Sequence, residues 1–153
     1  MTQPLQTVRQ LAYVVRDLDA ALKYWTENLK AGPFFLFEHC PLLDQKYLGK
    51  PGNADVTLAL GNSGGLQIEL IYQHNDAPSV YKEFLDAGRV GVHHFGLMPV
   101  DYAAACAEYR ARGHVAAFEC RLAVPLSPTS IRWRPSATTS NYGTTTPCSR
   151  ICS

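Results

Sequence analysis

The chain has 153 residues, of which 46% are hydrophobic and 18% are charged, and its net charge is +1 at pH 7. These values are typical of a soluble globular protein with one sizeable core, or with two small units that share one. A charge this close to zero does not attract nucleic acid, and the apolar runs are too short to cross a bilayer. The five cysteines lack the paired spacing of a zinc site, and the N-terminus lacks the apolar stretch of a secretory signal. We therefore expect a reduced, cytoplasmic protein that binds neither nucleic acid nor membranes.

The first half of the chain predicts a β-α-β-β-β unit. Asp17 is placed to cap a helix whose apolar residues recur every three or four positions as far as Leu29. Residues 41–53 contain Gly49, Pro51 and Gly52 close together, which predicts a loop. The predicted strands of this unit are 8–15, 34–39, 54–60 and 66–72.

The second half repeats the beginning of the first. The segment GVHHFGLMPVD resembles the earlier RQLAYVVRD, and superposing Asp17 on Asp101 puts Gln10 on His94. Both segments lead into a helical pattern, and a further strand is predicted over 115–122. Such a repeat implies two copies of one supersecondary unit that bury their apolar faces together.

The domain organisation follows from this repeat. Module one spans 8–72 and a partial module two spans 91–122, within a domain over 1–122. Residues 123–153 contain twelve Ser or Thr, four Pro and no Asp, Glu or Lys, which predicts an irregular tail. Translating the tail in a shifted frame allows a strand, a turn and a second strand containing Ile-Glu-Leu-Trp-Asp. We therefore hypothesise that the tail is the product of a frameshift and that module two is incomplete after about residue 122.

One face of the predicted strands carries three possible metal ligands. Gln10 and His94 occupy equivalent positions of the repeat, and Glu69 lies in the apolar strand LQIELI. An amide oxygen, a carboxylate and an imidazole together suit a divalent Mn, Co, Ni, Fe or Zn ion and leave positions open for substrate oxygens. In the simpler interpretation Gln10 and Glu69 are exposed strand residues and His94 is a packed core histidine. The remaining histidines have no predicted partner at ligand spacing: His39, His74 and His114.

The pattern resembles the vicinal oxygen chelate superfamily, which includes glyoxalase I, methylmalonyl-CoA epimerase, extradiol dioxygenases and bleomycin-resistance proteins. QLAYVVRDL is similar to the family's first strand, which opens with a His or Gln ligand. LQIELI is similar to its fourth strand, with Glu69 at the ligand position. HHFGL is similar to the strand that opens the second module, where the second His is the ligand.

The resemblance covers residues 8–122 and implies an α+β fold of paired βαβββ modules that form a cleft lined by a curved mixed sheet. It implies Gln10, Glu69 and His94 as ligands of a divalent metal. The family draws a further Glu from the last strand of module two. In this chain that Glu appears only in the shifted frame, across Ser140 and Asn141.

The resemblance also implies a function. A metal-dependent enzyme of the glyoxalase or epimerase type would act on a small carbonyl or thioester substrate, with an enolate or enediolate stabilised by the metal and Glu69 as the catalytic base. The alternatives are a metal-free protein that binds a small molecule or drug, as bleomycin-resistance relatives do, and an inactive truncated variant. A homodimer is expected if the incomplete module relies on a partner.

Overall fold

The computed structural model describes residues 8–122 and 147–150. Its elements in chain order are β1 (Val8–Val14), α1 (Leu18–Lys23), a π-helical turn (Tyr24–Asn28), β2 (Phe35–Phe37), β3 (Leu42–Tyr47), β4 (Lys50–Pro51), β5 (Val56–Ser63), β6 (Leu66–Gln73), α2 (Val80–Asp86), β7 (Gly91–Leu97), α3 (Tyr102–Ala111), β8 (Phe118–Leu122) and β9 (Pro147–Arg150). No helix in these ranges is long and apolar enough to cross a membrane.

Five strands form the main sheet, in the order β2-β5-β6-β1-β7. β1 runs parallel to β6, and the other neighbouring pairs are antiparallel. The sheet therefore contains four strands from the first predicted module, with the opening strand of the second module beside them. This arrangement confirms the predicted α+β class with a curved mixed sheet.

The pairing of β1 with β7 shows the sequence repeat as local symmetry. Gln10 pairs with Gly96, and Ala12 pairs with His94. Gln10 and His94 are equivalent positions of the repeat, and so are Ala12 and Gly96. A twofold rotation between the two strands therefore exchanges one pair for the other.

Equivalent aspartates begin the first and third helices. The Asp17 carboxylate accepts a hydrogen bond from the backbone N–H of Ala20, and the Asp101 carboxylate accepts one from Ala104, each at 2.9 Å. Each bond satisfies a backbone donor that the first helical turn would otherwise leave open, which stabilises a helix by about 1 kcal/mol. The predicted cap at Asp17 is confirmed. Asp101, the equivalent residue in the repeat, caps the third helix in the same way.

The main sheet is covered on both faces. One face packs against α1 and the following π-helical turn, through apolar residues that include Leu11, Tyr13, Ile68, Leu70 and Trp25. The other face packs against α2 and a second sheet of order β4-β3-β8-β9, through residues that include Val14, Val56, Ile71, Tyr81 and Phe118. The two faces follow the alternation of side chains along β1 and β6.

The predicted loop over 41–53 is wrong, because it contains β3 and β4. Asp44 within β3 has positive φ, and the register of β3 against β8 shifts between Leu43 and Lys46. The strand is therefore irregular and its side chains do not alternate clearly. The Gln45 side chain holds the bend, accepting from Ala54 N–H at 2.9 Å and donating to the Ala54 carbonyl at 3.0 Å. The hairpin is therefore stabilised by side-chain bonds that a search for alternation does not reveal.

The second sheet joins the two halves of the chain. β8 pairs antiparallel with β3, and the Arg121 guanidinium binds the Asp44 carboxylate across this pair. Tyr47 of β3 donates a 2.9 Å hydrogen bond to Glu83 of α2, and this bond raises the pKa of the Tyr47 hydroxyl. These contacts hold the second sheet over the main one.

The predicted irregular tail differs from the structure at its end. Residues 147–150 form β9, which pairs antiparallel with β8. Residues 123–146 and 151–153 lie outside the described residues, and so does most of the segment attributed to a frameshift. The division into a domain over 1–122 and a tail stays a prediction.

Candidate metal centre

The three predicted ligands lie on the same face of the main sheet. Gln10 is on β1, Glu69 on β6 and His94 on β7. Glu69 and His94 are both in register with Ala12 of the strand between them. Because a methyl group separates these two side chains, the carboxylate and the imidazole can approach each other over it.

Glu69 and His94 meet in the interior. His94 Nε2 lies 3.7 Å from Glu69 Oε2, and the two side chains are only 4% and 2% exposed. A buried carboxylate is costly unless positive charge or hydrogen bonds compensate it. Two donors that bind one ion at about 2.1 Å each lie roughly 3–4 Å apart, so this spacing fits a shared divalent cation.

His93 determines which nitrogen of His94 carries the proton. His93 Nε2 lies 3.2 Å from the carbonyl oxygen of Val80, and His93 Nδ1 lies 2.8 Å from His94 Nδ1. The carbonyl can only accept, so His93 Nε2 carries the proton and His93 Nδ1 accepts from His94 Nδ1–H. In neutral His94 the lone pair is then on Nε2, which faces Glu69. This is the tautomer that a metal ligand requires at that nitrogen.

A β-bulge makes this contact between neighbouring histidines possible. The register of β1 against β7 shifts between Ala12 and Tyr13, which pair with His94 and Val92, so His93 is the extra residue. Its ring packs against Tyr81 and Phe84 of α2, with centroids 5.6 and 5.0 Å away. The sequence indicates only that one of the two histidines faces inward. The bulge turns both rings toward α2 and Glu69.

Gln10 is oriented by its neighbours. Its Nε2 donates to Gln67 Oε1 at 3.0 Å, which directs the amide oxygen toward Gly96. A Cβ at position 96 would lie 2.5 Å from Gln10 Oε1 and 2.6 Å from Gln10 Cβ. Gly96 therefore provides the space that the Gln10 side chain occupies beside β7. Sequence alternation places Gln67 on this face but does not reveal its role.

The donor set fits a first-row divalent cation. It combines an amide oxygen, a carboxylate and an imidazole nitrogen, with no thiolate, and three protein donors leave coordination positions open. The structure brings Glu69 and His94 into proximity and places Gln10 two residues before Ala12 on β1, on the same face. The further family Glu falls at residues 140–141, outside the described residues. Metal binding by these three residues stays a prediction.

Comparisons with known proteins identify the family and the fold of the chain. Residues 9–121 match the family described as the glyoxalase/bleomycin resistance protein/dioxygenase superfamily. The chain belongs to this superfamily. The resemblance inferred from the sequence is thus confirmed. No curated protein matches the chain in sequence.

Two solved structures share the superfamily fold. Methylmalonyl-CoA epimerase from Mycobacterium tuberculosis aligns with a TM-score of 0.54 at 20% identity, covering 80% of this chain and 82% of the epimerase. A hypothetical protein from Bacillus halodurans C-125 aligns with a TM-score of 0.53 at 17% identity, covering 89% of this chain and 100% of its own. At these identities the likeness concerns the fold.

A second cluster of side chains that could bind a metal lies elsewhere in the chain. His39, Asp55 and His74 offer ligand atoms that all lie within 4.8 Å of one another. The expectation that His39 and His74 lack a partner is therefore wrong. Their segments are far apart in sequence, and only the strand order brings them together.

We expect Gly96→Ala to displace Gln10, because the added methyl would overlap its side chain. Overpacking of this kind lowers the free energy of unfolding by about 1–3 kcal/mol, and zinc affinity should fall with it. Chemical denaturation and calorimetric zinc titration measure the two effects. Gly65→Ala is the matched control, since a Cβ there meets nothing within 4 Å, and it should change stability by less than about 0.5 kcal/mol. Equal behaviour of the two variants would contradict the packing argument.

We expect His93→Phe to change the tautomer of His94. Phenylalanine preserves the packing against α2 but cannot accept the Nδ1–H of His94. Long-range proton–nitrogen correlation spectra should show the Nδ1–H form in the metal-free parent and the Nε2–H form in the variant. Zinc affinity should fall roughly 10- to 100-fold, as when an outer-shell partner is removed. His114→Phe, at an exposed histidine beside Tyr109, is the control. An unchanged His94 tautomer in His93→Phe would exclude the proposed orientation by His93.

Proposed function

We propose that this chain is a divalent-metal-dependent enzyme that moves a proton next to the carbonyl of a small acyl substrate. The observation that carries the proposal is the buried Glu69–His94 pair, with Nε2 and Oε2 separated by 3.7 Å. Membership of the superfamily and the fold shared with an epimerase support it. The superfamily alone supports the broader description of a metal-dependent enzyme or binder of small molecules.

Each residue has a distinct role in this proposal. Gln10 would contribute its amide oxygen to the ion, His94 its Nε2 and Glu69 a carboxylate oxygen. The bound ion would supply a Lewis acid that polarises a substrate carbonyl. Glu69 is the proposed catalytic base, because a carboxylate has two oxygens and one can accept a proton while the other faces His94. The low-dielectric surroundings strengthen both interactions.

The proposed substrate class is a small carbonyl compound or thioester. The fold likeness to a methylmalonyl-CoA epimerase favours an acyl-CoA thioester within this class. Proton abstraction next to a thioester carbonyl needs the two parts described above, an oxygen-binding electrophile and a nearby carboxylate. Dimerisation and a cytoplasmic location, both expected from the sequence, also stay proposals.

We expect Glu69→Gln to weaken manganese, cobalt or zinc binding at this centre at least tenfold. The substitution retains the shape of the side chain but removes its charge and one strong ligand. Elemental analysis after metal loading and calorimetric titration measure the stoichiometry and affinity. Glu27→Gln, at an exposed position of the π-helical turn, is the matched control and should bind like the parent. Identical binding by both variants would overturn the assignment of Glu69 as a ligand.

Catalysis is tested separately from metal binding. Methylmalonyl-CoA in deuterated water should exchange its α-proton faster with the metal-loaded parent than with Glu69→Gln, and mass spectrometry follows the exchange. We expect a rate difference of at least 100-fold, the usual contribution of a general base. If the parent binds the thioester without metal and without exchange, the protein is the small-molecule binder. If it neither binds nor exchanges, the inactive variant is supported.

A further inference from the structure

The second cluster lies at one end of three adjacent strands. In the main sheet β5 lies between β2 and β6 and runs antiparallel to both. The end of β2, the start of β5 and the end of β6 therefore meet at the same end of the sheet. His39 follows the first, Asp55 precedes the second and His74 follows the third.

The ligand atoms of the three side chains lie within 4.8 Å of one another, close to the spacing of ligands around one ion. His39 Nδ1 lies 2.9 Å from each carboxylate oxygen of Asp55. The two imidazole rings stack with centroids 4.4 Å apart and an angle of 26° between their planes. Donors that share one ion at about 2.1 Å lie roughly 3–4 Å apart, so only a small adjustment of His74 is needed for all three to coordinate.

The backbone around the cluster is fixed by hydrogen bonds. The His74 N–H donates to the Asp55 carbonyl at 2.8 Å, and the Asp55 N–H donates to Asn75 Oδ1 at 3.1 Å. His39 has φ of 46°, a conformation in which a non-glycine residue is uncommon. These hydrogen bonds thus fix the backbone of Asp55 and His74 before any ion binds.

Thr57 supports both histidines from beneath. Its hydroxyl lies 2.7 Å from His74 Nε2, and it accepts from the His39 backbone N–H at 3.4 Å. Thr57 is buried, whereas His39 is exposed. A hydroxyl in contact with one nitrogen of a histidine is the kind of outer contact that orients a metal-binding ring.

A simple ion pair explains the cluster less well. The His39 and Asp55 side chains are 67% and 37% exposed, and an exposed pair of this kind contributes little to stability. It would not require His74 to stack on the same side. Two imidazoles and a carboxylate are, in contrast, a ligand set that zinc and related ions prefer.

We propose that His39, Asp55 and His74 form a second divalent-metal site, for zinc or a chemically similar ion, with water at the open positions. The site differs from the one at Glu69. His74 follows Glu69 by five residues along β6, roughly 17 Å at 3.3 Å per residue. Thr57, which contacts His74, alternates with Leu58 and so lies on the opposite face of the sheet from Glu69. An ion here would tie together the ends of three strands.

The test is a titration with cobalt(II), whose visible absorption reports nitrogen and oxygen coordination, and with zinc by calorimetry. The test proteins are full-length His39→Ala and His74→Ala, and the matched control is full-length His114→Ala. We expect at least tenfold weaker binding of one metal equivalent in each test variant and unchanged binding in the control. Zinc should raise the melting temperature of the parent and of the control more than that of the test variants.

The same titration in Glu69→Gln separates the two sites. If the second site exists, Glu69→Gln retains one cobalt equivalent, and the double variant Glu69→Gln/His74→Ala loses it. Melting curves without metal establish that each variant is folded, and the substituted histidines are exposed. Affinities within twofold of the parent in both test variants would reduce the cluster to an ion pair and overturn the proposal. An equal loss in His114→Ala would overturn it as well.

Discussion

The antiparallel pairing of β1 with β7 is the constraint on which the candidate centre depends. It joins the two repeats in one sheet and brings His94 beside Ala12, within 3.7 Å of Glu69 on the next strand. A slip of one residue would turn His94 to the opposite face, against α1, and leave Glu69 buried without its imidazole. The bulge at His93 fixes the register, since its ring is held by α2. Packing and polar chemistry therefore select the same alignment.

Burial makes the Glu69–His94 pair consequential for stability. Removing either partner leaves an uncompensated buried polar group, which typically costs 3–5 kcal/mol where a charge is involved. Gln67 orients Gln10, Gly96 makes room for it, and the carbonyl of Val80 sets the protonation of His93. The centre is thus supported from β6, β7 and α2 together.

The sequence predicted the parts of the fold that depend on repetition and alternation. β1, β6, β7 and the capped helices follow from period-two runs and from Asp17 and Asp101, which act locally. The hairpin of β3 and β4 could not be predicted in this way, because Gln45 stabilises it by side-chain bonds to the backbone of Ala54, which lies between β4 and β5. Likewise, nothing local shows that His39, Asp55 and His74 converge. Their proximity comes from the order of β2, β5 and β6, which is a property of the whole sheet.

The position of α2 also bears on the buried pair. α2 and the second sheet pack on the face of the main sheet that carries Glu69, whose side chain is 2% exposed. His93 contacts Tyr81 and Phe84, and it donates to the Val80 carbonyl at the start of α2. A displacement of α2 away from His93 would break that hydrogen bond. His93 can then exchange its proton positions, and the Nδ1–H of His94 loses its fixed acceptor. The orientation of the His94 imidazole is therefore coupled to the position of α2 through His93.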